Sequence, residues 1–271
     1  MSSTQIVGIV LVKNEDLFVE RAIRNVTAFC DHLILCDHGS IDETRKILER
    51  LAQEFQHAVF HPIKHPAISH ELLKPFIDTP TWVFAVDGDE VYDAEKLAVF
   101  RGRLRSGEFK DIWRMKGNVL HCESVSEESL VASGYLAPPS RSITKLYNFS
   151  AIRSWDGDTV ERLHGGDIVF HEGYHDGAKL NFQESLGWEE SPLRCLHLCF
   201  MRRSSVDNLH KGGAFRENIM ETYRGGITNA LRRLMNRLLR RGTSSRWKTD
   251  HYRRGGQVEV DARPFFPKAT K

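Results

Sequence analysis

The sequence predicts an α/β protein: a mixed, mainly parallel sheet flanked by helices, followed by a basic, mainly helical C-terminal extension. Three observations carry this. Short runs rich in Ile and Val alternate with helix-period segments from Gln5 to Asp93, the pattern of strand–helix–strand units. The chain has 271 residues, 41% of them hydrophobic, enough for a sizeable core in one large domain or a domain with an appendage. The charge is also uneven. From Met201 to Lys271 there are 17 Lys and Arg against 6 Asp and Glu, whereas the remainder carries 21 against 30. An acidic body with a basic tail suggests chemistry in the body and an anionic partner for the tail.

The elements follow in order. QIVGIVLV (5–12) is a short apolar run, read as a buried strand. The segment 15–30 brings Leu17, Phe18, Ala22, Ile23, Val26 and Phe29 near a helical period. HLILCD (32–37) is a second strand, and 42–55 is a helix opened by Ser40 or Asp42. AVFHPI (58–63) is a third strand, HELLKPFI (70–77) a short helix interrupted by Pro75, and TWVFAVD (81–87) a fourth strand. A helix is expected over 94–107. Strands are then expected in DIWRMKGNVLHC, SITKLYNF, DIVFHEGY and LRCLHLCF. The domain reading is 1–203 for the body, with halves at 1–95 and 96–203, and 204–271 for the extension.

Composition narrows the class further. No run of about 18 apolar residues is present, so no membrane-spanning helix is expected. The first residues, MSSTQIVGIVLVKNE, lack a basic n-region and a small-residue cleavage site, so no signal peptide is expected. Five scattered cysteines suit a reducing compartment better than a disulfide framework. The expected location is cytoplasmic, with peripheral contact at the inner face of a membrane left open.

FAVDGDEVYD (84–93) places Asp87, Asp89, Glu90 and Asp93 at the end of an apolar strand. Ligands of open α/β sheets bind outside the carboxyl ends of the strands. Clustered carboxylates are tolerated there when a cation neutralises them, and Mg²⁺ and Mn²⁺ favour carboxylates together with substrate phosphates. Asp-x-Asp alone is common and also fits a solvated acidic turn. Two further strand ends carry polar groups, however: VKNE (12–15) and CDHGSIDET (36–44). Three such ends on one edge make a crevice of nucleotide size.

LVKNED, LILCDHGSIDET and WVFAVDGDE together resemble the family-2 inverting glycosyltransferases of the GT-A fold, over roughly residues 5–93 and more loosely to about 200. The resemblance implies that Val12, Asn14, Glu15 and Asp37 bind the nucleotide base and ribose. It implies that Asp87-Gly88-Asp89 supports the ribose and a Mn²⁺ or Mg²⁺ ion, with Asp89 the metal ligand. The implied reaction moves a sugar from a nucleoside diphosphate, a UDP-sugar by expectation, to an acceptor hydroxyl. A metal stabilises the leaving diphosphate and a carboxylate takes the acceptor proton.

In 142–166, Asp156, Asp158, Glu161 and His164 are candidates for that base. By resemblance Glu161 comes first, as the acid after the family's aromatic-glycine turn, and Asp156 second. These acids equally suit loop capping or pairing with Arg153 and Arg162. LRCLHLCF puts Cys195, His197 and Cys199 on one face of a strand, but structural zinc takes four ligands at other spacings, so zinc is not expected from this strand. The late His that many GT-A enzymes give to the metal corresponds to His197; a core histidine is the other reading. Trp155 and Trp188 suit either sugar stacking or the core.

GITNALRRLMNRLLRRG (226–242) is the clearest amphipathic helix, with Arg filling the positions between Ile, Leu and Met. It suits packing on the body, lying on an anionic membrane, or, with the Arg, Trp and Tyr of 240–256, a nucleic-acid surface. The acceptor expected is accordingly a bacterial-type surface glycan, a lipid-linked sugar or another polyanion, with modified DNA as the alternative. A nucleic-acid-binding protein with a degenerate transferase core is the non-enzymatic reading. A nucleotidyltransferase would open with a Gly-rich loop after the first strand, where this chain has VKNED.

Overall fold

A computed structural model of the protein describes residues 4–126, 128–136, 145–207 and 252–267. The elements of the first half follow in the order the sequence predicts. They comprise β1 (Gln5–Val12), α1 (Val19–Thr27), β2 (His32–Asp37), α2 (Thr44–Glu54), β3 (Ala58–Pro62), α3 (Ile68–Glu71) and β4 (Thr81–Val86). A single 3-10 turn at Lys74–Phe76 accommodates Pro75. Next come β5 (Glu90–Tyr92), α4 (Ala94–Arg105), β6 (Arg114–Lys116), β7 (Asn118–Ser126), β8 (Val131–Leu136) and β9 (Lys145–Asn148). The rest are β10 (Ile152–Glu161), β11 (His164–Phe170), β12 (Lys179–Asn181), α5 (Phe182–Ser185), β13 (Arg194–His197) and β14 (Val258–Asp261).

The main sheet has the order β12-β6-β9-β4-β1-β2-β3. It is parallel except for β9, which runs against both β4 and β6. This is the mixed, mainly parallel α/β class expected. Alternation along β1 makes its two faces. Ile6, Val10 and Val12 join α1, α2 and α4 in one core layer, while Val7, Ile9 and Leu11 join Trp113, Trp155 and Phe149 in the other. Gly8 lies on the helix-facing side. A Cβ there would stand 2.7 Å from Leu33 Cδ2 and 2.8 Å from Cys30 Sγ, so glycine sets how closely β1 and its neighbours pack.

A second sheet, β14-β8-β7-β13-β5, branches off at two points. The run 111–122, read from sequence as one strand, divides at Gly117 into β6 in the first sheet and β7 in the second. A Cβ at Gly117 would lie 2.1 Å from the Leu193 carbonyl oxygen, so the chain can pass there only without a side chain. The acidic segment itself divides likewise, β4 in one sheet and β5 in the other. β10 and β11 form a separate hairpin.

The helix expected over 226–242 lies outside the described residues. Within 252–267 the chain is strand and a short 3-10 turn, Arg263–Phe265: β14 pairs with β8 and Phe265 is fully buried with Trp188 and Leu196. The cause is the alternating VEVD pattern and an aromatic that the second sheet's core receives. Asn25, buried in α1, donates to the carbonyls of both Tyr92 and Phe265 at 2.7 and 2.8 Å. All five cysteines are free and buried. Among the described residues no helix is long and apolar enough to cross a membrane.

Candidate active site

The carboxyl ends of β1, β2 and β4 lie side by side at one edge of the main sheet. Asn14 adopts a left-handed backbone (φ 56°), which an Asn tolerates better than most residues. Its amide N–H donates to Ser40 Oγ at 2.9 Å, and its side-chain oxygen accepts from the Ile41 amide at 2.8 Å. The loop after β1 is thereby fixed to the loop after β2. Asp37, 2% exposed, accepts from the Ser40 amide, and Val12 accepts from the His38 amide at 3.0 Å. Glu15 donates through its backbone to Thr44 Oγ1 at 2.7 Å. Gly88 closes this group: a Cβ on it would stand 2.7 Å from Val12 Cγ1 and 3.0 Å from Glu15 Cβ. Val12, Asn14, Glu15, Asp37, Asp87, Gly88 and Asp89 thus cluster at the strand ends.

The four acids of 87–93 divide into two pairs. Asp93 caps α4 through the Lys96 amide and holds the buried Arg194 guanidinium at 2.9 Å. Glu90, 1% exposed, accepts from Lys145 Nζ at 3.0 Å and from the Tyr92 hydroxyl at 2.8 Å. Those two acids hold the fold, and burial pushes the Glu90 carboxyl up. Asp87 and Asp89 stand just beyond the end of β4. Asp87 takes Lys145 at 3.0 Å and Arg162 at 2.5 Å. Burial works against its charge, but Arg162 and Lys145 outweigh it and hold the carboxyl well below the usual range. Asp89 accepts from the Arg203 guanidinium, which also lies 3.5 Å from Glu15.

Three cations that the sequence did not tie to this cluster therefore neutralise it. Lys145, Arg162 and Arg203 are all nearly buried, and they come from 55 or more positions away. Arg162 also donates to the Val86 carbonyl at 2.9 Å, and its own amide donates to Ser69 Oγ at 2.9 Å. The segment carrying Arg203 is tied down on both sides: its carbonyl accepts from the Leu17 amide at 3.1 Å, Ser204 donates to Asp42 and Ser205 to Asp16. The signal available in the sequence was Arg202-Arg203-Ser204-Ser205, a cationic polar run directly after an apolar strand.

His197, on β13, points Nε2 at Asp89 Oδ2 from 3.5 Å. A carboxylate oxygen and an imidazole nitrogen at this separation suit one divalent ion with bonds near ~2.1 Å. The Arg203 guanidinium on Asp89 already marks that carboxylate as a cation seat. The residues therefore fit the Mn²⁺ or Mg²⁺ that the sequence resemblance implies, which Asp89 and His197 would hold.

Glu161 is 6% exposed at the β10–β11 turn, with Arg162 at 3.7 Å and His164 at 3.5 Å. Burial pushes its carboxyl up, toward the range where a general base works near neutral pH. Burial and Arg162 lower the His164 imidazole to about 4. The structure puts Asp156 elsewhere on the same hairpin: it is 70% exposed in its side chain, beside Lys74 Nζ at 3.9 Å. Asp158 is exposed too. Trp155 is core, donating to the Gly165 carbonyl at 2.8 Å, and Trp188 stacks on Phe265.

No protein-family model matches the chain, and no curated protein matches it. Among solved structures it is similar to glucosyl-3-phosphoglycerate synthase from Mycobacterium tuberculosis in complex with Mn²⁺ and UDP-glucose. That likeness has 22% identity and a TM-score of 0.31, over 43% of this chain and 44% of that one. It is also similar to the mannosyltransferase PcManGT from Pyrobaculum calidifontis in complex with GDP-mannose and Mn²⁺. There the identity is 14% and the TM-score 0.32, over 46% of this chain and 37% of that one. The chain thus spans less than half the length of either structure.

Proposed function

We propose that this protein is a metal-dependent, inverting glycosyltransferase that moves a sugar from a nucleoside diphosphate to an acceptor hydroxyl. The observation that carries the reading is the meeting of Val12, Asn14, Glu15, Asp37, Asp87, Gly88 and Asp89 at the ends of three parallel strands, with His197 at Asp89. Base and ribose are assigned to Val12, Asn14, Glu15 and Asp37. Asp87 and Gly88 support the ribose and the diphosphate, and Asp89 with His197 holds Mn²⁺ or Mg²⁺. When bound, that ion supplies Lewis-acid stabilisation to the leaving diphosphate.

The chain's own residues do the rest. Arg162 and Lys145 fix Asp87 in its charged form. They add positive charge beside a site where phosphate charge grows as the sugar leaves. Glu161 takes the acceptor proton, and Asp156 is the second choice for that role. The hairpin bearing Glu161 is held by His70, whose ring nitrogens lie 2.5 and 3.1 Å from the carbonyl oxygens of Arg162 and Trp155. A UDP-sugar is the first donor to try. The acceptor classes to screen are surface glycans, lipid-linked sugars and DNA.

The test is calorimetric binding of UDP, GDP, CDP and dTDP, with and without Mn²⁺, to the wild type and Asp89→Ala. Metal-dependent binding of one nucleotide that the substitution removes is the expected result. Wild-type protein that binds none of the four would end the transferase reading.

A further inference from the structure

Zinc was not expected from Cys195, His197 and Cys199 on one strand. The tertiary structure supplies a different set. β7 and β13 pair in parallel with His121 opposite His197, and Cys199 follows two residues later. The Nδ1 atoms of the two rings are 2.9 Å apart, and Cys199 Sγ lies 3.9 Å from His121 Nδ1. One donor atom from each of the three lies within 4.8 Å of the others. All three residues are buried, and the Tyr252 ring stacks over His121 with centroids 4.0 Å apart. His121 Nε2 is itself buried and makes no hydrogen bond among the described residues. A neutral His121 ring has one lone pair to give.

Two imidazoles and a thiol form the donor set of zinc-class ions, whereas Mg²⁺ and Mn²⁺ favour oxygen. We propose that His121, His197 and Cys199 bind a zinc-class divalent cation, and that its binding antagonises the oxygen-seeking ion at Asp89. The antagonism rests on the transferase reading; the site itself does not. Its cause is His197, which faces Asp89 with Nε2 and His121 with Nδ1. A neutral imidazole has one free lone pair, and its other nitrogen carries the proton. His197 therefore serves one ion at a time. On binding, the Cys199 thiol releases its proton to solvent and forms the sulfur–metal bond, the proton shared by the two Nδ1 atoms moves to His121 Nε2, and the His197 proton stays on the nitrogen that faces Asp89.

Co²⁺ titration of the full chain tests the site. The wild type should show a near-ultraviolet thiolate-to-cobalt band saturating at one equivalent. Cys199→Ser should lose the band, His121→Gln should need at least tenfold more Co²⁺, and Cys195→Ser should keep it, each with a wild-type circular dichroism spectrum. No band in the folded wild type, or a band that survives Cys199→Ser, overturns the site. Zn²⁺ should weaken Mn²⁺-dependent nucleotide binding at least tenfold in the wild type and leave Cys199→Ser unaffected. Equal nucleotide affinity with and without Zn²⁺ overturns the antagonism. A cobalt band lost in Cys199→Ser, in a protein that binds no nucleotide, supports the site while the transferase reading falls.

Discussion

Replacing Lys145 by methionine removes the ammonium that holds two carboxylates at the junction of the two sheets. The side chain is 9% exposed and stands 3.0 Å from both Asp87 and Glu90. At an effective dielectric of about 20, each such contact is worth roughly 5 kcal/mol before desolvation is counted. Burial opposes the lysine's charge, but Asp87 and Glu90 outweigh it and hold its proton more tightly than usual. Removing one partner of a buried pair costs about 3–5 kcal/mol, because a charge is left uncompensated. Asp87 keeps Arg162 at 2.5 Å, so the loss falls on Glu90, which among the described residues keeps the Tyr92 hydroxyl as a hydrogen-bond donor. The expected loss is therefore about 3 kcal/mol, the lower end of that range. Urea unfolding at pH 8 and pH 5 reads it. The carboxyl of Glu90 is already raised by burial, so acid should protonate it in the variant and shrink the loss. Glu90→Gln added to Lys145→Met should restore at least half of the stability. A loss under about 1 kcal/mol at pH 8, the level of a surface ion pair, would refute the account of the cluster.

Glu161→Gln should cut transfer by about 10²–10⁴-fold, the usual weight of a general base, with nucleotide affinity unchanged; near-normal turnover removes Glu161 from the role. Because its folded-state carboxyl is raised, wild-type stability is drained as pH climbs from the unfolded carboxyl value through the folded one. The glutamine variant should thus gain on the wild type in alkali and match it in acid, read by denaturation at several pH values. Gly88→Ala should cost about 1–3 kcal/mol by overpacking and weaken nucleotide binding, since its methyl would meet Val12 and Glu15; unaltered stability and affinity would show that the crevice yields. Arg203→Ala should raise nucleotide-free affinity for Mn²⁺ by about tenfold, or ~1.4 kcal/mol, because the guanidinium seated on Asp89 is gone. Calorimetry with Mn²⁺ alone decides this, and an unchanged constant would mean that the two cations do not compete.

The first half of the fold was legible because its signals are local. The apolar runs at 5–12, 32–37 and 81–86 are strands within a residue of where they were read, since continuous Ile and Val in so short a run fits a buried parallel strand. The second half was not. β5, β8, β12 and β14 are three to six residues long and are stabilised by partners far along the chain rather than by their own period. The division at Gly117 depends on the Leu193 carbonyl, which no window around residue 117 contains. The site follows the same rule. Asp37, Asp87 and Asp89 were readable from position at strand ends. Lys145, Arg162 and Arg203 were not, because a cation's worth to Asp87 or Asp89 is set by three-dimensional approach. His121 joins His197 only through strand pairing, so a search by spacing passes over it.

β14 and the buried Phe265 bring the end of the described chain back against α1 and β8. Tyr252 adds to this hold, its ring meeting His121 and Phe200. Phe265 is in this sense a plug: trimming the chain before it would leave a hole beside Trp188 and Leu196, and the second sheet's core would be undone from the far end of the sequence.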